Sequence, residues 1–308
     1  MGERTAVWVN LPLAVLSSWG WSRAAAAWWR GHPRGGEAAA LAGALAALLP
    51  ISYGLSRHFL VETLLSALLG LWAWRCAAAK PDDRAEGLRL GVLLGLGLLA
   101  KVTFPLLIAG LAWPARARLK PHAKTTLLIG GAIAATWYVE NLPYALGFAW
   151  SAGFGSVARD YAGSGGLAAP MRWTGSVLRH GLSWPLAAAM AAVAARTRRE
   201  SLDAGTRAAL WGLAPLLVFM AGVNQELRLA APLLPLFGVL AARAAVSRPG
   251  PAARAAAALL SAGLAVCADQ TFRAVPARAL AYNGPPSSDA GWDRGALVDA
   301  VAASGGRV

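Results

Sequence analysis

Residues 56–74 read SRHFLVETLLSALLGLWAW. Three ionisable side chains, Arg57, His58 and Glu62, crowd its first positions, and an apolar run follows them. The run from 61 to 78 has the length that a helix needs to cross the hydrocarbon core of a bilayer, about 20 residues. Charges at the mouth of such a run are costly, so they mark a place where chemistry is expected.

The rest of the chain follows the same pattern. Of its 308 residues 57% are hydrophobic and only 14% charged, and mean hydropathy is +0.48. A soluble domain carries about 25% charged residues. The apolar excess comes in blocks at 5–21, 37–53, 61–78, 88–100, 102–115, 124–140, 181–195, 208–222, 229–243 and 252–269. They predict an all-α polytopic membrane protein with about ten transmembrane helices. The fourth and fifth blocks are short and nearly contiguous, which fits a tight hairpin or one broken helix. Abundant Ala and Gly allow helices to approach closely. Residues 5–21 are interrupted by Asn10 and followed by basic residues, so they do not read as a cleavable signal peptide.

The net charge of +14 invites a nucleic-acid reading. The cations, however, sit in short connections between apolar blocks, such as Arg116, Arg118, Lys120 and Lys124, or Arg196, Arg198, Arg199 and Arg207. The positive-inside rule explains that placement and puts these connections in the cytoplasm, with no nucleic-acid partner. The alternate short connections hold only Arg57, Lys101 and Arg228. They face outward, together with the loop 141–180 and the tail 270–308. Residues 1–269 therefore form a transmembrane domain and 270–308 an extracytoplasmic tail. The Gly- and aromatic-rich loop 141–180 reads as an irregular segment on the membrane surface. The tail, ending in GWDRGALVDAVAASGGRV, holds a short amphipathic helix, after which a soluble α/β domain would begin. The same count places the N-terminus outside, which fits either an N-out start or an upstream span before Met1.

Four outward-facing places carry candidate site residues. His58 and Glu62 lie four apart, on one helical face. Glu62 would bind or activate an acceptor hydroxyl while Arg57 holds a phosphate; alternatively both are interfacial anchors. Lys101 closes GVLLGLGLLAK, where it contacts a phosphate or snorkels to the surface. Gly91, Gly95 and Gly97 in that stretch read as a close-packing face rather than a nucleotide loop. Glu140 and Asn141 in TWYVENLPY could bind sugar hydroxyls or merely cap a helix end. Arg228 opens NQELRLAAPLLPLFGVLAA, where Pro232 and Pro235 free backbone carbonyls; its planar fork suits a phosphate or pyrophosphate. No cofactor is evident. His58 and Glu62 would supply only two metal ligands, and a divalent ion is left open. Cys76 and Cys267 are far apart and read as packing residues.

As an ordered set, SRHFLVETLLSAL, GVLLGLGLLAK, WYVEN and RLAAPLLPLFGVLAA resemble the GT-C fold glycosyltransferases that use polyprenyl-phosphate sugars, the protein O-mannosyltransferases and aminoarabinose transferases. The family's RYxxPxxP form matches Arg228, Pro232 and Pro235, with Leu229 in place of the tyrosine. The resemblance implies transfer of a sugar from a polyprenyl phosphate to a lipid, glycan or protein acceptor on the extracytoplasmic face of the cell membrane, usually with inversion. It makes Glu62 the candidate catalytic carboxylate and Arg57, His58, Lys101, Glu140, Asn141 and Arg228 the candidate substrate-binding set. The family's principal aspartate lies in a first extracytoplasmic loop for which this sequence has no counterpart. A flippase for a lipid-linked glycan, or a non-catalytic membrane paralogue, is the rival expectation.

Overall fold

The computed structural model describes residues 3–56, 61–155, 158, 168–195, 203–222, 226–247 and 250–272. Among them there is no strand. The helices are α1 (Glu3–Trp28), α2 (Gly35–Leu48), α3 (Pro50–Ser56), α4 (Glu62–Ala78), α5 (Arg84–Ala100), α6 (Phe104–Leu119) and α7 (Ala123–Gly153). They continue as α8 (Ala168–Ser176), α9 (Trp184–Ala195), α10 (Ala204–Gly212), α11 (Pro215–Ala221), α12 (Pro235–Val246) and α13 (Ala252–Phe272). Each apolar block coincides with one helix or with a broken pair. Two stretches among the described residues, Ala204–Ala221 and Ala252–Asp269, are long and apolar enough by themselves to cross a membrane. A third candidate is Leu227–Leu233 with Pro235–Val246, bent by 42°. Pro232 and Pro235 lie at that bend, where each removes a backbone donor.

The two most extensive helix pairings, α1 with α4 and α5 with α7, meet at glycines. Gly20 of α1 and Gly70 of α4 bring the two backbones together: a Cβ on Gly20 would stand 3.0 Å from the Gly70 carbonyl carbon. Beside this crossing the Ser17 and Ser66 hydroxyls hydrogen-bond at 2.8 Å in the buried interface, and Trp21 is fully buried. In α5, Gly87, Gly91 and Gly95 face Thr125, Ile129 and Ile133 of α7, and a Cβ on Gly95 would come within 2.5 Å of the Ile133 Cβ. The stretch around Lys101 is thus a packing face, with no room for a nucleotide. Gly97 is covered by the ring of Phe104, the residue that starts α6. With the backbone N–H of Phe104 donating to the Lys101 carbonyl at 2.9 Å, α5 and α6 form a tight hairpin, which decides between the two readings of blocks four and five.

The irregular loop expected at 141–180 is corrected by the structure. Residues 141–153 extend α7, which runs for 31 residues straight through Pro143. The segment is apolar and aromatic throughout, and a single proline forfeits one ladder bond without ending the helix. Beyond Tyr138, whose hydroxyl donates to the Leu98 carbonyl at 2.9 Å, α7 has outrun α5. Tyr144, Phe148 and Trp150 are exposed. Residues 168–182 are helical as well, ending in a π-helical turn. Residues 156–157, 159–167 and the tail from 273 onward lie outside the described residues.

Charge segregates between the two ends of the bundle. The C-termini of α1, α4, α6 and α12 and the N-termini of α2, α5, α7, α10 and α13 meet at one end, which carries Arg75, Lys80, Arg116, Arg118, Lys120 and Arg243 among others. Asp203 binds this end together. It caps α10 through the Thr206 amide at 2.6 Å and accepts from the Trp29 indole at 3.2 Å and from Arg243 Nε at 3.1 Å. Partial burial alone would raise its pKa. The hydrogen bonds from Thr206, Arg243 and Trp29 outweigh that and leave the carboxyl below its ordinary value. Nearby, Glu86 is fully buried and paired with Arg75, and His122 Nε2 lies 2.9 Å from the Lys80 carbonyl oxygen.

Two outcomes follow from these contacts. Gly95→Leu forces a side chain into Ile133 and is expected to destabilise the fold by about 1–3 kcal/mol, read as a lower midpoint of thermal unfolding. A folded pKa below the unfolded one means that Asp203 stabilises fully above about pH 4 and that this contribution fades as pH falls through the folded value. Asp203→Ala is therefore expected to lower stability at pH 7, by about 1 kcal/mol for the lost cap, and to narrow the gap to wild type at pH 3.

Candidate functional site

At the end opposite the basic cluster, α4 begins. Its N-cap residue, Val61, offers no side-chain cap, so the first-turn amides present partial positive charge to Glu62. Ser66 lies one turn further along, against α1, and this places Glu62 on the same α1-facing side of α4. The carboxylate is 2% exposed. Its Oε1 accepts a hydrogen bond from Lys101 Nζ at 3.1 Å across 39 residues of sequence. Lys101 stands in the α5–α6 turn and is 24% exposed at its side chain. A buried charge needs such a partner, and the hairpin that Phe104 and Gly97 close is what delivers it.

Among the described residues the second carboxyl oxygen, Glu62 Oε2, has no hydrogen-bond partner, and neither has the neighbouring buried hydroxyl of Thr63. Both residues line a cavity of about 560 Å³ between α1, α2, α3 and α4. Ser17, Ser18, Ser22, Ser52, Tyr53 and Ser66 add hydroxyls to its otherwise apolar wall. Buried polar atoms are nearly always satisfied, so two unsatisfied oxygens on one cavity point to a ligand or to water. The arrangement can accept a proton or hydrogen bonds from a hydroxyl-bearing molecule at Oε2, while a cation stands beside Oε1.

Of the residues expected to form the site, Glu62 and Lys101 are brought into direct contact. Arg57 and His58 lie outside the described residues. Arg228, in a 3₁₀ turn before α12, forms an ion pair with Glu226 at 2.5 Å; this acid, two residues earlier in the sequence, supplies a nearby counter-charge. Ala231, just beyond, reaches the cavity wall. Glu140 and Asn141 stand on the outer part of α7 and do not line the cavity; the Asn141 amide donates to the Trp137 carbonyl of its own helix at 2.9 Å. The serines of α1 and α4 were not singled out by sequence reasoning. Their only signal was polarity recurring inside apolar blocks. Among the described residues no group of three or more His, Cys, Asp or Glu is placed to hold a metal ion.

Compared with models of known protein families, with curated proteins and with solved structures, the chain matches none.

The ion pair makes an asymmetric prediction. Lys101→Met leaves the Glu62 carboxylate buried without a counter-charge and is expected to cost about 3–5 kcal/mol. Glu62→Gln retains an acceptor for Lys101, whose ammonium can still reach solvent, and is expected to cost about 1 kcal/mol. Pairing Lys101→Met with Glu62→Gln should recover most of the loss, as thermal unfolding of the purified variants would show.

Proposed function

We propose that the chain is a multi-pass membrane glycosyltransferase of GT-C type, moving a sugar from a polyprenyl-phosphate donor to a lipid, glycan or protein acceptor. The observation that carries this reading is the buried carboxylate of Glu62, with one oxygen held by Lys101 and the other unpartnered among the described residues, on a cavity large enough for a sugar. In the reaction the bond between the anomeric carbon and the donor phosphate oxygen breaks, and a bond from that carbon to the acceptor oxygen forms. Glu62 takes the acceptor's proton as general base. The departing phosphate carries away the negative charge, and in this reading Lys101, the cation paired with Glu62 Oε1, is assigned to stabilise it. The nucleotide that first activated the sugar has no part in this step, in keeping with glycines that pack helices instead of cradling phosphates.

The arrangement of cations supports the placement. About ten spans would put the Arg- and Lys-rich end of the bundle in the cytoplasm by the positive-inside rule, and the Glu62 end on the extracytoplasmic face of a bacterial-type cell membrane. The apolar walls given by α1 and α2 suit a polyprenyl tail.

The test uses membranes containing the full chain, supplied with a radiolabelled polyprenyl-phosphate sugar and a panel of hydroxyl acceptors. Transfer is expected, and Glu62→Gln is expected to reduce it about 10²–10⁴-fold while donor binding persists. Translocation of the donor without transfer to any acceptor would replace this reading by that of a flippase.

A further inference from the structure

At the basic end, far from Glu62, a second cavity of about 360 Å³ opens between the C-termini of α1, α4 and α6 and the N-terminal part of α10. Arg116, Arg118 and Arg207 line it together with the indoles of Trp28, Trp113 and Trp211. Two of the three guanidiniums are held in place by other groups. Arg116 lies 4.5 Å from the Trp113 ring centroid and donates to the Trp113 carbonyl at 3.0 Å, and Arg118 donates to the Ala77 carbonyl at 2.9 Å. Among the described residues none of the three forms an ion pair with a carboxylate. Asp203, which precedes the lining residue Ala204, is already engaged by Arg243, Trp29 and Thr206. The wall on the α10 side is tight, because a Cβ on Gly205 would meet Trp28 and Trp29.

The cavity adjoins an apolar groove. A channel of about 450 Å³ runs along α6 from Pro105 to Leu119, between α5 and α7, and Trp113 and Arg116 belong to both it and the cationic cavity. That is about 20 Å of helix length. Its wall is formed by side chains such as Leu94, Ile108 and Leu127, with Arg116 and Lys120 at the basic end. Trp113 and Trp211 stand with ring centroids 6.3 Å apart, and both are about half exposed, the amphipathic position that indoles take at a membrane–water boundary.

We propose that this composite site binds one anionic phospholipid. Its phosphate sits among Arg116, Arg118 and Arg207, whose forked donors match phosphate oxygens, and an acyl chain lies in the α6 groove. Cationic pockets between helices at the positively charged end of a membrane bundle are suited to such headgroups. A zwitterionic lipid brings an ammonium into a cavity already crowded with positive charge and is disfavoured. The proposal requires the bundle to lie in a membrane but is independent of the chemistry assigned to Glu62.

The experiment is native mass spectrometry of the full chain, stripped of lipid in detergent and titrated separately with dioleoyl phosphatidylglycerol, dioleoyl phosphatidylcholine and inorganic phosphate. One phosphatidylglycerol per chain is expected to be retained, at least tenfold more tightly than phosphatidylcholine. Each neutralised arginine in the series Arg207→Gln, Arg118→Gln, Arg116→Gln is expected to weaken it about fivefold. Should the triple variant fail to fold, the single Arg207→Gln change at an exposed position carries the comparison. Ala112→Trp, which fills the groove, should weaken the lipid. Glu62→Gln should leave retention unchanged, so this outcome and that of the transfer assay are read separately. Equal retention of the two lipids, indifference to Arg207→Gln, or inorganic phosphate binding as tightly as phosphatidylglycerol would each overturn the proposal.

Discussion

The contact of Gly20 with Gly70 governs much of what lies around it. Two helices whose backbones touch have little freedom to slide or rotate, since a shift by one residue would drive a Cβ into a carbonyl. That lock sets the rotation of α4. It turns Ser66 toward Ser17 and, one turn earlier, Glu62 into the space bounded by α1, α2 and α3. It also explains why the cavity is there at all. The close approach is made by small residues in the middle of the pair, and towards the Glu62 end the wall passes to α3, whose short length leaves volume unfilled.

A second constraint is electrostatic and acts along the bundle axis. The same helices that gather cations at one end carry the buried Glu62–Lys101 pair at the other, roughly 25 Å away over the length of α4. Ion pairs at the basic end join neighbouring helix termini, Arg75 with Glu86 and Arg243 with Asp203, while Arg89 with Asp83 ties α5 to its own cap residue. These are fastenings. Glu62 and Lys101 differ because one carboxyl oxygen is left over, next to an unsatisfied hydroxyl and an open volume. A merely structural pair would be expected to use both oxygens, as Glu86 does with Arg75.

Much of the helical layout was legible in the sequence, because apolar blocks of helical length report burial directly. The glycine spacing in LGVLLGLG announced a close-packed face, which α7 fills. What the sequence could not convey was partnership. Glu62 and Lys101 each stood out as a charge beside an apolar run, yet nothing in a periodicity of 3.6 tells which faces meet across 39 residues. Ser17 and Ser66 were hidden for the same reason, since small hydroxyl residues are common in apolar helices and gain meaning only when paired. The stretch 141–153 misled in the opposite direction: its glycines, proline and aromatics are the vocabulary of loops, but no competing contact pulls the backbone away from the helix that α7 had already begun. Asp203 carries no signal of its own in the sequence; its place emerges only where the ends of α1, α10 and α12 converge on it.

The pairing of Glu62 with Lys101 bears on the order in which the chain can settle. Synthesis delivers α4 well before the α5–α6 turn, so for an interval the carboxylate is present and its counter-charge is not. Burying it then would be unfavourable by several kcal/mol, which holds the start of α4 near water until Lys101 arrives. The α5–α6 hairpin thus acts as a latch on the preceding helix, and the final seating of α4 against α1 becomes a late event, contingent on residues that do not touch α1 through that pair.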